Sequence, residues 1–529
     1  MALKDKMNRR EFLAPALAGA AITIVPRHVL GGPGYVAPSD KVVLAHIGCG
    51  SEGTRELVTG LIQDPQVQIV AVCDPVKDST DYLDWSADGI RNSVRRVLED
   101  PSWDEGVKGI HCGRDPFQRI LEKYYAKQSG TQSYRVANYE DYRELLDKEK
   151  DIDGVKIMTP DHLHGTIGVA AMKKGKGVMV HKPLSNRMNE AKLIIETARR
   201  TKVPTHFLAY GMGGGTDRIV ARIKEGVIGP LREVHNWTDR PVWPHYPNTP
   251  TDRPPVPEGF NWQLWLGPER DRPYHPHYTH MVFRGWYDFG GGCMADVGIY
   301  SLWPVFAALN VGPPISARAW ATHTCDIIDH VANPVVNDSA YPIGSTIQFE
   351  YAARDEWPKL DVFWYDGGGM PRIPELESDP APLAPGGMLW VGDKGKILAG
   401  GGGPMGGAPK LITAKGVEPL WQDGPSATGG GPGRGGQAGG AAAGFGRGNI
   451  WVQAFKGGAP SPGNFLNSGP ISETICLAAI ALRAGRQKSG VRVYPAPIKV
   501  LYDSASMKIT NLAEANKFLT REYRPGWEL

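Results

Sequence analysis

The sequence predicts an α/β protein: a doubly wound parallel sheet first, then an α+β portion with a large, mostly antiparallel open sheet. Three observations carry this. Short apolar runs alternate with helical patterns from Lys41 onward; the first run leads directly into a glycine cluster that opens a helix; and beyond Pro230 strand-like runs follow one another with few helices between them. At 529 residues the chain exceeds what one ordinary core fills, so two or more domains are expected.

Lys41–Ile47 (KVVLAHI) has the length and apolarity of a buried strand, and Thr54–Gln63 is helical in pattern. Val67–Cys73 reads as a second strand, and residues 78–128 as a mostly helical insertion interrupted near Pro101 and Gly113. Tyr134–Ala137, Val155–Met158 and Gly177–Val180 read as further strands, with helices over Tyr139–Lys148 and His162–Lys174. After Lys182 come a helix at Asn189–Thr201, a strand at Pro204–Tyr210 and a helix at Gly215–Glu225 ended by Gly226. Strands follow at Leu231–Thr238, Ala317–Thr324, Ser345–Tyr351 and Leu360–Tyr365. Met388–Val391 and Lys396–Leu398 flank Gly392-Asp393-Lys394-Gly395, a hairpin signal. Residues 400–449 are dominated by Gly with Pro, Ala and Arg, a composition that buries too little apolar surface to order alone; a flexible surface insertion is expected. Ser472–Ala484 is the final helix. The domain boundaries implied are 1–35 (leader), 36–185, 186–490 and a tail, 491–529, packing back on the body.

The leader has its own signature. Asn8-Arg9-Arg10-Glu11-Phe12-Leu13 precedes a weakly apolar stretch from Ala14 to Val25, which resembles a twin-arginine export signal. The stretch is too short for a permanent membrane span. An exported, periplasmic protein that folds before translocation, with the twin-arginine machinery as a partner, is the expectation.

Composition excludes several classes. A formal charge of +3, spread without runs, gives no nucleic-acid footprint. The six cysteines form neither a CxxC nor a metal-ligand spacing, so neither a disulfide framework nor a metal site is expected. The fifteen Trp suit a loop-rich half in which some rings face a sugar, although core packing explains any single one equally well.

Gly48-Cys49-Gly50-Ser51-Glu52-Gly53 matches G-x-G-x-x-G in its required place, after a strand and opening a helix. The glycines allow a tight turn and close approach to a pyrophosphate, whose charge sits at the helix N-terminus. Asp74 ends the second strand, where a carboxylate accepts hydrogen bonds from ribose hydroxyls and repels a 2′-phosphate. NAD is therefore expected over NADP in a Rossmann domain.

Thr159-Pro160-Asp161-His162-Leu163-His164 follows the fourth strand and His181-Lys182-Pro183 the fifth. With the glycine loop, and with Trp237-Thr238-Asp239-Arg240-Pro241, Trp265-Leu266-Gly267-Pro268, the run Arg284–Gly292, Glu514-Ala515-Asn516 and Arg524–Trp527, they resemble the Gfo/Idh/MocA oxidoreductases over nearly the whole chain. The likeness is nearest to the secreted bacterial branch. It implies hydride transfer between a tightly held nicotinamide and a hydroxyl or keto carbon of a sugar, glycoside or polyol, in a homo-oligomer.

The resemblance also assigns roles. Lys182 stands where the family's Glu-Lys-Pro lysine meets nicotinamide and substrate hydroxyl, and His181 replaces the usual glutamate. Asp296 matches the aspartate of the family's second pair, whereas Tyr300 replaces its histidine four residues on. The i,i+4 spacing puts Asp296 and Tyr300 on one helix face. Three proton acceptors stay open: Tyr300 with its pKa lowered by Lys182, which is favoured; Asp296 as a relay; or His277 or His280 from the neighbouring loop. Thr159, Pro160, Asp161 and His164, at the carboxyl end of the fourth strand, are expected at the cofactor or substrate, with helix capping by Asp161 the alternative. Arg240, Trp243, His277, Tyr278, His280 and Arg284 are the candidate sugar-site residues. Two other functions compete: a glycosidase that oxidises its substrate transiently and eliminates, and a sugar-binding protein that has lost its base.

Overall fold

The computed structural model describes residues 36–208, 216–335, 337–377, 383–400, 406–421, 450–490 and 492–529. The leader signature at 8–25 lies outside them. Of the first 41 residues, 36–41 are described and carry one short 3-10 turn, Pro38–Asp40. Residues Val42–Leu529 pack as one unit containing both sheets.

The parallel sheet is built from β1 (Val42–Ile47), β2 (Val67–Cys73), β5 (Ala137–Tyr139), β6 (Gly154–Ile157), β7 (Gly177–Val180) and β8 (Thr205–Phe207) in the order β5-β2-β1-β6-β7-β8. β3 (Ser79–Tyr82) and β4 (Ile110–Cys112) form a separate antiparallel pair. The chain winds outward from β1 through β2 to β5, then returns to the other side for β6, β7 and β8. The order therefore reverses between β1 and β6, and ligands of such sheets bind in the crevice at that reversal, outside the carboxyl ends of the strands. Strands β6 and β7 are buried at every position, as the centre of a parallel sheet covered on both faces requires.

The helices that matter to the crevice follow the strands. α1 (Ser51–Thr59) follows β1, α2 (Gly89–Leu98) and α3 (Arg114–Ser129) lie between β2 and β5, and α4 (Tyr142–Lys148) is capped by the Asp141 carboxylate accepting from Arg143 N–H. α5 (Asp161–Lys173) follows β6 and is buried nearly all round; α6 (Met188–Thr201) and α7 (Thr216–Lys224) come next.

The second sheet has ten strands: β9 (Leu231–Trp237), β10 (Ser316–Ala321), β13 (Ser345–Tyr351), β14 (Leu360–Tyr365), β15 (Gly387–Gly392), β16 (Gly395–Gly400), β17 (Gly406–Thr413), β18 (Gly416–Pro419), β21 (Val500–Asp503) and β22 (Lys508–Ile509). Its order is β18-β17-β16-β15-β9-β14-β13-β10-β21-β22, antiparallel except where β9 pairs with β14. Alternate residues of β13 and β14 are buried, the mark of a sheet with one covered face. Two exposed hairpins stand apart: β11 (Cys325–Ile328) with β12 (Val331–Pro334), and β19 (Arg486–Ser489) with β20 (Arg492–Pro495). α8 (Trp262–Leu266) and α9 (Ile299–Leu309) precede β10, and α10 (Ile450–Phe455), α11 (Phe465–Ser468) and α12 (Ile471–Ala484) precede β19. α12 touches both β10 of this sheet and α6 of the parallel one. The run Phe465–Ala484 is long and apolar enough to cross a membrane by length and composition, but 78% of it is buried in the fold.

Three expectations change. The insertion at 78–128 is not only helical, because Ser79–Tyr82 pairs with Ile110–Cys112. The strand expected at Tyr134–Ala137 lies at Ala137–Tyr139, where it pairs with Ala71–Cys73 of β2. Within the glycine-rich stretch, β17 and β18 extend the large sheet and bury Leu411 and Ile412. They order because β16 supplies the hydrogen-bonding edge that their own composition lacks. Residues 401–405 and 422–449 of that stretch lie outside the described residues.

Candidate active site

The residues after β1, β2, β6 and β7 line one cleft of about 870 Å³, including its open mouth. Gly48 through Gly53 (Cys49 apart) form its floor, with Asp74, the Met158–Asp161 turn and His181 beside them. Its opposite wall comes from the second half of the chain: Trp265, His280, Met281, Phe283 and Arg284.

The glycine loop is shaped by close backbone approach. Gly48 has φ +100°, and a β-carbon there would lie 2.5 Å from the Met158 carbonyl carbon. A β-carbon on Gly53 would lie 2.3 Å from the Gly48 carbonyl oxygen, so α1 starts hard against the turn. Asp74 braces the loop: its carboxylate accepts from Cys49 N–H at 2.6 Å and Val76 N–H at 2.8 Å. Burial raises its pKa from 3.8 to about 6, against the pull of those two N–H groups. Each oxygen keeps a lone pair for a hydroxyl. The close-packed turn, the N-terminus of α1 and the Asp74 carboxylate in one cleft fit a dinucleotide. Gly48, Gly50, Ser51, Glu52 and Gly53 would hold its pyrophosphate and Asp74 its ribose.

Among the cleft residues that sequence reasoning missed are two aromatic ones, Tyr82 and Trp85. The Tyr82 ring stands over Gly50 and packs 4.1 Å from the His280 ring. Trp85 meets Trp243 edge-on at 6.4 Å, and the Arg240 guanidinium lies 4.3 Å from the Trp85 ring. Both aromatic residues sit in the insertion after β2, whose pairing has no local sequence period.

Lys182 Nζ donates to Asp296 Oδ1 at 2.8 Å and Arg284 Nε donates to the same oxygen at 2.9 Å; Arg284 lines the cleft, whereas Lys182, Asp296 and Tyr300 are not among its lining residues. Burial alone would raise the Asp296 carboxyl, but Lys182 and Arg284 hold it well below the usual carboxylate range. Asp296 lies in a π-helical turn, Met294–Gly298, that leads into α9 and brings Tyr300 beside the same lysine. Lys182 Nζ is 5.4 Å from the Tyr300 ring centre, and Tyr300 Oη is 3.1 Å from His181 Nε2.

That arrangement does not give Tyr300 a pKa lowered by Lys182. Lys182 does stand by Tyr300, but its ammonium donates to Asp296. Burial, with Glu52, Glu56 and Asp296 nearby, pushes the Tyr300 phenol well above its ordinary value. His181 shifts the other way: burial first, then Lys182, His164, Arg284 and Lys156, hold it well below the usual imidazole range. Asp161 Oδ2 accepts from Gly291 N–H at 2.9 Å, and burial raises its carboxyl.

Other expected residues fall elsewhere. His164 is fully buried, with its ring nitrogens at 2.6 Å and 2.8 Å from the carbonyl oxygens of Pro183 and Thr159; it fixes those backbones and does not line the cleft. His277 stacks on Tyr246 at 3.8 Å, and Tyr278 is buried among Trp262, Trp286 and Phe289; neither lines the cleft. Both serve aromatic packing because Trp286 Nε1 donates to the His277 carbonyl and anchors the whole turn. His280 does line the cleft, and burial brings its pKa to about 4.

One side-chain cluster has metal-like spacing: Glu52, Glu56 and His181 offer ligand atoms within 4.8 Å of one another. Arg55 already pairs with Glu52 and Lys156 with Glu56, so cations of the chain itself answer those charges.

Two family models match this chain in order. Residues 118–208 match the oxidoreductase family, NAD-binding Rossmann fold, and residues 230–316 match the oxidoreductase family, C-terminal alpha/beta domain. Over these two segments the chain is similar to the Gfo/Idh/MocA oxidoreductases. The glycine loop precedes the first matched segment. Among relatives, levoglucosan dehydrogenase of Pseudarthrobacter phenanthrenivorans is 31% identical over 21% of this chain and 28% of its own length. A glycosyl hydrolase family 109 protein of Solibacter usitatus is 28% identical over 43% of this chain and 44% of its own. This chain thus spans less than half the length of these curated relatives. Among solved structures, the WlbA dehydrogenase of Chromobacterium violaceum, in complex with NADH and UDP-GlcNAcA, aligns with a TM-score of 0.48 at 14% identity, over 87% of this chain and 97% of that one.

Proposed function

We propose that this protein is an NAD(H)-linked oxidoreductase moving hydride between a retained nicotinamide and a CH–OH or C=O carbon of a sugar, glycoside or polyol. One observation carries the reading: the glycine loop and Asp74 line a cleft at the carboxyl ends of the parallel strands together with His181 and Arg284, of which His181 contacts Tyr300 and Arg284 shares Asp296 with Lys182. The bound nicotinamide supplies the hydride acceptor or donor. The Lys182 ammonium, fixed by Asp296, donates a hydrogen bond to the reacting oxygen and stabilises charge developing there. Arg284 shares Asp296 and keeps that carboxylate ionised. The buried cluster excludes bulk water, which strengthens each of these interactions.

Asp74 favours NAD over NADP, since its carboxylate would repel a 2′-phosphate. Export by the twin-arginine route is supported by Asn8–Leu13 and the apolar stretch after it. It suits a protein that carries its cofactor out, so hydride taken from one substrate returns to a second. A homo-oligomer joined through the open face of the large sheet completes the reading.

The glycosidase reading draws support from several relatives that are glycosyl hydrolase family 109 proteins and from an α-N-acetylgalactosaminidase. Incubation with aryl glycosides and with free sugars separates the two. Net NADH formation or consumption with a sugar supports the oxidoreductase; aglycone release without net cofactor change selects the glycosidase. A protein that binds sugar, ignores NAD and is indifferent to Lys182→Ala would be a binding protein, and the proposal would fall.

A further inference from the structure

Among the described residues, His181 is the neutral cleft-lining base that contacts Tyr300. The Lys182 ammonium has no acceptor lone pair, and Asp296 Oδ1 accepts from both Lys182 and Arg284. Tyr300 stays a phenol, so it takes a proton only while giving one up. His181 is neutral, lines the cleft, and has Nε2 3.1 Å from the Tyr300 hydroxyl. With its proton on Nδ1, His181 accepts at Nε2 from the Tyr300 hydroxyl. Behind it, Glu56 Oε1 stands 3.6 Å from the same nitrogen. That is too long for a hydrogen bond and close enough to stabilise a positive charge. Glu56 reaches this point from α1, four residues after Glu52, and its other oxygen is held by Lys156 from β6.

We propose that the substrate proton is taken up through Tyr300 and His181 acting together, with Glu56 as the positioning residue that stabilises the imidazolium so formed. The inference rests on the oxidoreductase reading above. In the oxidative direction the substrate O–H breaks and a new O–H forms on Tyr300 Oη. The original Tyr300 O–H breaks as an N–H forms on His181 Nε2, while hydride leaves the carbon for the nicotinamide. Alcohol becomes carbonyl, the nicotinamide is reduced, and one proton remains on His181. Reduction runs the same bonds in reverse.

The groups facing His181 set its response to pH. Lys182 from its own segment, His164 from α5, Arg284 from the opposite wall and Lys156 from β6 disfavour the imidazolium. Glu56 and Glu52 from α1 favour it, and Tyr300 from α9 holds the neutral form. His181 accepts a proton only when neutral, so the acid limb of oxidation falls below the ordinary histidine value of about 6.5. Glu56→Gln removes a compensating charge and moves that limb further down; Lys156→Met leaves Glu56 unopposed and moves it up.

The test uses full-length protein loaded with NAD, with carbon-13-labelled histidine followed by NMR and the His181 signal assigned by its loss in His181→Gln. The expected result has four parts. His181 is neutral with its Nε2 lone pair free at pH 7; its titration moves down in Glu56→Gln and up in Lys156→Met; Tyr300→Phe and His181→Gln lower kcat for oxidation by about 10²–10³-fold with KM little changed; and NAD affinity is preserved throughout. Glu56→Asp, which keeps the charge, restores most of the wild-type limb and serves if Glu56→Gln does not fold. A His181 titration indifferent to Glu56 and Lys156, or an acid limb that survives His181→Gln and vanishes in Asp161→Asn, overturns the relay and leaves the oxidoreductase reading standing. Failure to bind NAD at all overturns that reading, and the relay with it.

Discussion

The hydroxyl of Tyr300 lies 3.1 Å from Nε2 of His181, although 119 residues separate them in sequence. Each is also the residue at which the chain departs from the pattern it otherwise resembles. Their contact is possible because β7 ends at Val180 and a π-helical turn delivers α9 to the same place. The two side chains of the proposed relay therefore meet beside a lysine whose ammonium donates to Asp296.

Asp296 ties Lys182 to Arg284 in a buried cluster. Asp296→Asn should destabilise the fold by about 3–5 kcal/mol, because it leaves two buried cations without their counter-charge. Lys182→Met should abolish turnover and spare NAD binding. Thermal melts and NAD titrations of both variants check this.

Gly48 sits at φ +100° against the Met158 backbone. Gly48→Ala forces both a strained conformation and a clash with main chain, each worth about 1–3 kcal/mol. The expected outcome is a lower melting temperature and loss of NAD binding, read by calorimetry on one sample.

Asp74 gives a pH signature. Its carboxyl is raised from 3.8 to about 6 by burial, against the Val76 and Cys49 N–H groups. A ribose hydroxyl needs the ionised form, so NAD affinity should be full above pH 7 and fall as pH drops through about 6. Asp74→Asn should flatten that dependence at a lower affinity. For folding the sign is opposite: a carboxyl raised on folding contributes stability present below its unfolded value and lost as pH rises through about 6.

Asp288 behaves in reverse. Burial would raise it, but Arg272 and Arg187 hold it near 2. Its stabilisation is present above the unfolded carboxyl value of about 3.9 and lost as pH falls toward 2. Asp288→Asn should remove that part of the acid-unfolding slope, measured by circular dichroism, and destabilise the protein at pH 7.

Much of this was legible because it is local. Val67–Cys73, Gly177–Val180, Ser345–Tyr351 and Leu360–Tyr365 are strands at the bounds their apolar patterns imply. The glycine turn announces itself by composition and place. Pairings made across the chain were not legible. Ser79–Tyr82 finds Ile110–Cys112 about thirty residues on, so Tyr82 and Trp85 could not be foreseen in the cleft. Leu411 and Ile412 are buried only because β16 offers an edge. Glu56 looks like an exposed helix residue until Lys156, a hundred positions later, is seen to meet it. His164 and Tyr278 do not line the cleft for a related reason: residue type suggests chemistry, but these side chains are buried among carbonyls or rings.

Calorimetric titration of NAD+ and of NADP+ into the purified protein, stripped of any bound nucleotide, tests the central claim most directly. The account expects NAD+ to bind at one site per chain, NADP+ to bind more weakly, and Gly48→Ala to bind neither. Binding of neither nucleotide to the wild type, or NAD+ binding untouched by Gly48→Ala, would contradict it.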